Sequence, residues 1–181
     1  MLQNNEINLL PEEVSEKIAA GEVVDRPLSI VKELVENSID AGSDNIVVEI
    51  KNGGKTYIRV TDNGAGIPAK DVGKAFQRHA TSKIRSTADL DRIRTLGFRG
   101  EALTSIAAVS KVEIITKTAA EKAGIRMVLE GGKTLEESPV GCSDGTTIIV
   151  TDLFYNTPAR LKFMKTDGAE GSLIIDFVSK M

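Results

Sequence analysis

An α+β architecture, a two-layer sandwich of helices laid on a sheet, follows from three features of the sequence. Residues 27–40 form an amphipathic helical stretch whose apolar face is broad enough to need a sheet as its partner. Short runs rich in β-branched residues come in two groups, at 45–61 and 111–152. Helices and strands are clustered and do not follow a regular βαβαβ alternation. A chain of 181 residues makes one domain large enough to bury a core without covalent staples.

Composition narrows the class. Apolar residues at 41% and charged residues at 27% are globular values and exclude wholesale disorder. The single cysteine, Cys142, excludes an intramolecular disulfide framework and suits a reducing compartment. No apolar run approaches the roughly 18 residues of a membrane span, and the N-terminal residues lack the basic and apolar regions of a secretory signal. With 23 Lys and Arg against 26 Asp and Glu, the net charge of −3 lends no support to nucleic-acid binding. A soluble, cytoplasmic domain without a membrane partner is expected.

The elements read as follows. Pro11-Glu12-Glu13 opens a first helix, which Gly21 is expected to end. Asp25 is placed to cap the second helix, with Pro27 in its first turn and Gly42 after its end. Leu28, Val31, Val35 and Ile39 form its apolar stripe, widened by Ile30 and Leu34. Strands at Asn45–Lys51 and Thr56–Thr61 flank Asn52-Gly53-Gly54, a hairpin-turn signal. Asp62-Asn63-Gly64-Ala65-Gly66 stops the second strand. A short helix follows Pro68 to about Phe76, Arg78–Ser86 reads as a loop, and residues near Ala88–Arg94 form another helix. Gly97-Phe98-Arg99-Gly100 introduces a helix containing Leu103 and Ile106. Strands are expected at Lys111–Thr118, Gly124–Glu130 and Thr146–Asp152, separated by Gly131-Gly132 and by Ser138–Gly145. Pro158 opens a helix, and Ala169–Lys180 is helical.

Three groups of residues are suited to chemistry. On the second helix Glu33, Glu36, Asn37 and Asp40 share one side. Such a face is ordinarily solvated surface, yet no lysine intervenes between Glu36 and Asp40, and a glutamate one turn before an asparagine pairs a carboxylate base with an oxygen ligand for a hard cation. Asp62, at a strand end before Gly64 and Gly66, is either part of a plain turn or an acceptor for an exocyclic amine. Thr81-Ser82-Lys83 and Gly97–Gly100 offer hydroxyls, cations and a helix start to an anion, or form a basic loop and a helix cap. The P-loop and dinucleotide fingerprints are absent. His79 and Cys142 each stand alone of their kind, which leaves neither a histidine–cysteine metal site nor a hydrolase triad.

The strings IAAGEVVDRP, KELVENSIDAG, DNGAGI, RHATSKI, LGFRGEAL and DLFYNTPARLKF occur in this order. In them the chain resembles the N-terminal ATPase domain of the MutL/PMS mismatch-repair family, within the superfamily of gyrase B and sensor histidine kinases. The resemblance extends from Ile7 to about Met164. It implies a mixed sheet with helices on one face and a nucleotide between helices and a lid. It implies Glu33 as the general base, Asn37 as the Mg²⁺ ligand, and Asp62 as the carboxylate facing the adenine amine, with Gly66 and Ile67 against the base. Thr146 would support the adenine through water, Thr81, Ser82 and Lys83 would belong to the lid, and Gly97, Phe98, Arg99 and Gly100 would grip phosphate from a helix start. ATP and Mg²⁺ are the implied cofactors.

The implied function is an ATP-driven switch in mismatch repair. The implied partners are a mismatch-recognition protein and other repair factors, with DNA bound weakly and in the full-length dimer. Nucleotide-driven homo- or heterodimerisation is implied for the family, while this chain alone is expected to be monomeric. A nucleotide-binding scaffold with incidental hydrolysis and the ATPase part of a type II topoisomerase are the alternatives, the latter disfavoured by GFRGEAL and FYNTPAR. Residues 1–181 are read as a single ATP-binding subdomain with a mobile arm over residues 1–11, lacking the second subdomain whose lysine reaches the γ-phosphate. Slow or absent turnover is therefore expected. The implied location is cytoplasmic and nucleoid-associated in a bacterium, nuclear in a eukaryote.

Overall fold

The structure, a computed structural model, describes residues 9, 11–77, 80 and 101–181, and for residues 12–17 the backbone alone. Among these, helices α1 (Glu12–Val23) and α2 (Pro27–Asp40) precede strand β1 (Ile46–Lys51), a 3-10 turn (Asn52–Gly54) and strand β2 (Tyr57–Asp62). Helices α3 (Ala69–Ala75) and α4 (Ala102–Ala108) lead to β3 (Lys111–Lys117), β4 (Gly124–Glu130), β5 (Lys133–Val140) and β6 (Gly145–Thr151). Helices α5 (Pro158–Lys162) and α6 (Asp167–Val178) follow. The six strands form one sheet in the order β1-β2-β6-β3-β4-β5. Every pairing among the described residues is antiparallel, within the expected α+β arrangement of one sheet with helices on it.

The two layers arise from strand alternation. Ile58, Val60, Val112, Ile114, Met127, Leu129, Ile148 and Val150 are buried on the inner face, where they meet Ile30, Val31, Leu34 and Val35 of α2 and Ile106 of α4. Each such fully enclosed aliphatic side chain contributes about 1.5–3 kcal/mol. The outer face carries cross-strand pairs. Glu49 meets Arg59, and Arg126 bridges Glu113 at 2.6 Å and Glu136 at 3.0 Å.

Several expectations change in detail. Gly21 does not end α1, which runs on to Val23. The glycine serves a close approach instead, because a Cβ there would overlap the Arg160 guanidinium. Asp25 does not cap α2. Arg26 occupies the N-cap position, and the Asp25 carboxylate accepts the Ser29 hydroxyl. The buried stripe of α2 is Ile30, Val31, Leu34, Val35 and Ser38, rotated from the expected one, and Ile39 is 38% exposed. Strand β5 is absent from the expected set, and Ser138 to Val140 belong to it, not to a connecting stretch. Its residues are mostly exposed, and it lacks an apolar alternation. Lys133, Glu136, Glu137 and Pro139 are instead the residues of a protected edge. The loop over Arg78–Ser86 (Ala80 apart), the helix near Ala88–Arg94 and the arm at residues 1–8 and 10 lie outside the described residues.

Candidate nucleotide site

The inner face of the sheet is apolar in two successive rows and polar in the third. Across β1, β2, β6, β3 and β4 the facing residues are Ile50–Ile58–Val150–Val112–Leu129, then Val48–Val60–Ile148–Ile114–Met127. The next row reads Ile46–Asp62–Thr146–Thr116–Ile125. Three polar side chains thus stand side by side on adjacent central strands, where continuing the pattern would have placed aliphatics.

Asp62 is held from several sides. Its Oδ1 accepts the amides of Gly64 at 2.9 Å and Thr146 at 3.2 Å, and its Oδ2 accepts the Ser38 hydroxyl of α2 at 2.8 Å. An ionised carboxylate has about four lone-pair positions, so Oδ2 retains capacity for a further donor. The neighbouring Asn63 is structural. Its side-chain oxygen accepts the Ser43 hydroxyl at 2.8 Å and the amides of Asp44 and Asn45 at 3.2 and 3.0 Å, locking the connection from α2 to β1. Both readings of the Asp-Asn-Gly turn therefore apply, one to each residue.

The following loop is pinned along its length. The amide of Ala65 donates to Ala41 O at 3.0 Å, and that of Ile67 to Thr116 Oγ1 at 2.9 Å. Gly66 takes φ +70°, and a Cβ there would overlap the Lys117 carbonyl, so only glycine lets the loop pass the end of β3. Glu121 closes the far side, accepting the amide of Ala69 at 3.0 Å and the hydroxyl of Thr118 at 2.8 Å. These donors, the Ala69 amide foremost, hold its carboxyl below the ordinary glutamate range. At the rim Lys117 pairs with Asp144 at 2.8 Å, and that hydrogen bond raises the ammonium pKa.

Glu33 and Asn37 lie one turn apart on α2, both half-buried, directly before Ser38. The structure thus brings Asp62, Gly66, Ile67 and Thr146 together and places Glu33 and Asn37 on the helix that contacts Asp62 through Ser38. Thr81, Ser82, Lys83, Gly97, Phe98, Arg99 and Gly100 lie outside the described residues. Ser38 and Thr116 were not singled out by sequence. Each looks like an ordinary position of its helix or strand, and only the register shows that they touch the polar row. The described residues contain no cluster of three or more His, Cys, Asp or Glu fit for a metal ion, and no helix among them is long and apolar enough to cross a membrane.

The string DLFYNTPARLKF serves the opposite end of the sheet. Phe154 is fully buried with φ +62°, and its amide donates to Val109 O at 2.8 Å. Asn156 donates to Ala108 O at the end of α4 at 2.9 Å, and Arg160 donates to Val24 O at the end of α1 at 3.4 Å. A cation and an amide donor at two helix C-termini satisfy carbonyls that the helices leave open.

Residues 26–134, more than half of the chain, match the family of histidine kinase-, DNA gyrase B- and HSP90-like ATPases. The DNA mismatch repair protein MutL of Agathobacter rectalis is 61% identical over 175 residues, covering 97% of this chain and 27% of that protein. MutL of Caldanaerobacter subterraneus is 59% identical, covering 98% of this chain and 30% of that protein. The chain thus spans less than a third of the length of these curated relatives. The Aquifex aeolicus MutL ATPase domain complexed with ADP superposes with a TM-score of 0.71 at 36% identity, covering 86% of this chain and 54% of that one. The chain belongs to the histidine kinase-, DNA gyrase B- and HSP90-like ATPase family, and within it to the MutL family as its N-terminal ATPase domain.

Proposed function

We propose that this domain binds ATP with Mg²⁺ and hydrolyses it as the conformational switch of a DNA mismatch-repair protein. The observation that carries the reading is the polar row, with Asp62 anchored through Ser38 and two amides yet still able to accept from a ligand. The adenine amine would donate to Asp62, with Gly66 and Ile67 against the ring and Thr146 in a water-mediated contact. The ADP complex of the Aquifex aeolicus relative supports a nucleotide as the ligand.

The donor chemistry of α2 fits a magnesium ion. Asn37 supplies a neutral side-chain oxygen to an ion that takes most of its ligands from phosphate and water. When bound, Mg²⁺ neutralises phosphate charge. Glu33, one turn before Asn37, would orient a water and take its proton, while the surrounding residues position the triphosphate, which is most of what phosphoryl transfer needs. The lid role of Thr81, Ser82 and Lys83 and the phosphate role of Gly97, Phe98, Arg99 and Gly100 belong to the same proposal. So do the repair partners, nucleotide-driven dimerisation and DNA contact in the full-length dimer.

The test is calorimetric titration of a non-hydrolysable ATP analogue, with and without Mg²⁺, into the wild type and Asn37→Ala. Mg²⁺-dependent binding that the substitution abolishes is the expected outcome. Absence of binding by the wild type would sink the proposal that this domain holds the nucleotide unaided. In a longer chain that includes the second subdomain, Glu33→Ala should retain binding and lose turnover, and unchanged turnover there would remove its role as base.

A further inference from the structure

We propose that Thr116 is a positioning residue that fixes the Thr146 hydroxyl as an acceptor toward the bound base, and so helps to select a 6-amino over a 6-oxo purine; this rests on the nucleotide reading above. Thr116 is 1% exposed, and its Oγ1 has three polar neighbours. They are the amide of Ile67 at 2.9 Å, the carbonyl of Gly145 at 2.9 Å and the hydroxyl of Thr146 at 3.0 Å.

A threonine hydroxyl has one proton and two lone pairs. The Ile67 amide can only donate, so it occupies one lone pair. The Gly145 carbonyl can only accept, so it takes the proton. One lone pair remains, and Thr146 makes its contact by donating into it. The alternative, with Thr116 donating to Thr146, gives up the bond to Gly145. With all three contacts made, the Thr146 proton points inward at Thr116, and Thr146 has only lone pairs left for anything else.

Beside it in the row stands Asp62, which as a carboxylate also only accepts. Two adjacent acceptors suit the two protons of one exocyclic 6-amine, taken directly or through a bridging water. A carbonyl at the same place would face lone pairs and leave a polar contact unmade, the condition under which buried sites discriminate most strongly. Thr116 would exert this influence without touching the ligand.

The experiment measures affinities of non-hydrolysable ATP and GTP analogues, with Mg²⁺, for wild type, Thr116→Val and Thr116→Ser, alongside thermal unfolding. Thr116→Val frees the Thr146 proton. The ATP-over-GTP preference should then fall about fivefold to tenfold, the scale of one neutral hydrogen bond, and Thr116→Ser should restore it. In a Thr146→Ala background, Thr116→Val should leave the preference unchanged, because the two act as a pair. Equal weakening of both analogues, an unaltered preference, or failure of serine to rescue would each overturn the inference. Should Thr116→Val unfold early, Thr116→Cys keeps a similar shape with weaker hydrogen bonds and reads the same ratio. A wild type that binds neither analogue would be recognised separately, as failure of the nucleotide reading itself.

Discussion

Strands β2 and β6 run antiparallel, and the segments that leave them depart from opposite ends of the sheet. The Asp62–Ile67 segment leaves β2, and the Asp152–Arg160 segment leaves β6. Both are strings with distinctive sequences and positive φ angles, at Gly66 in one and at Asp152 and Phe154 in the other. Their polar groups have different fates. In the first, the anchored, part-buried Asp62 carboxylate keeps acceptor capacity. In the second, the donors are spent on helix ends, the Asn156 amide on α4 and the Arg160 guanidinium on α1, while Asn156 Oδ1 and Thr157 Oγ1 are buried without a partner. A cavity of about 470 Å³ lies at this second end, lined by Asn52, Lys55, Thr56, Asp152, Tyr155 and Asp167 among others. Its ions are already paired, Lys55 with Asp167 at 2.8 Å and Asp152 with Lys111 at 3.0 Å. Concavity and distinctive sequence therefore do not by themselves mark the chemical end of this domain. What sets the Asp62 end apart is a carboxylate held in place beside two hydroxyls on adjacent strands.

If the second end is structural, truncating it should cost stability and leave ligand preference alone. Phe154→Ala removes a fully buried ring and should lower unfolding free energy by about 3–5 kcal/mol, read by urea denaturation. A changed ATP-to-GTP preference in the surviving folded fraction would break the contrast. The converse test is Asp62→Asn. The amide can donate to Ser38 where Oδ2 now accepts, and its oxygen can still accept the Gly64 and Thr146 amides, so the fold should persist. Presenting a donor to the adenine amine should weaken ATP-analogue binding by about 10- to 100-fold, the range for a hydrogen bond to a charged group.

Smaller effects sharpen the picture. Gly21→Ala displaces the Arg160 guanidinium from Val24 O and from the Phe154 ring, 5.9 Å away. A loss of about 1 kcal/mol is expected, and in an Arg160→Ala background the same change should become neutral or stabilising, since alanine is the better helix former. Stability without that reversal would mean the glycine serves something other than Arg160. Last, Glu121 has a depressed pKa, so its bonds stabilise the folded state while the unfolded carboxyl is ionised, above the ordinary value of 4.5, and fade as acid protonates the folded group. The melting temperature of Glu121→Gln should lie slightly below wild type at pH 7 and converge with it as the pH falls from 4.5 through the lowered pKa of the folded carboxyl. Parallel curves would show that the carboxylate charge is not what holds the loop.

How much of this was legible beforehand depended on whether a role leaves a local trace. Alternation marked the core strands because burial on one face forces it. Strand β5 left no such trace, since its residues are mostly exposed. Gly21 looked like a stop signal because glycine has two uses, and only a guanidinium arriving from residue 160 separates them. Asp62 was legible as a choice between turn and acceptor, while Ser38 and Thr116 were silent. Their importance comes from neighbours 24 and 49 residues away along the chain, through Asp62 and Ile67 respectively. The roles of Glu33 and Asn37 rested on resemblance, and their helix and its contact with Asp62 add support from packing.

The polar row has one more implication, for how such a domain can drift. Asp62, Thr146 and Thr116 share a face because each stands an even number of residues from its strand's inward aliphatics. Either threonine can be exchanged for serine at modest cost. Inserting or deleting one residue between Tyr57 and Asp62 is another matter, because it would turn the carboxylate to the outer, solvated face or shift the apolar rows beneath it. Over long divergence, such a site should accumulate spelling changes within β2, β3 and β6 while conserving their length, so that its position is remembered by counting more faithfully than by residue identity.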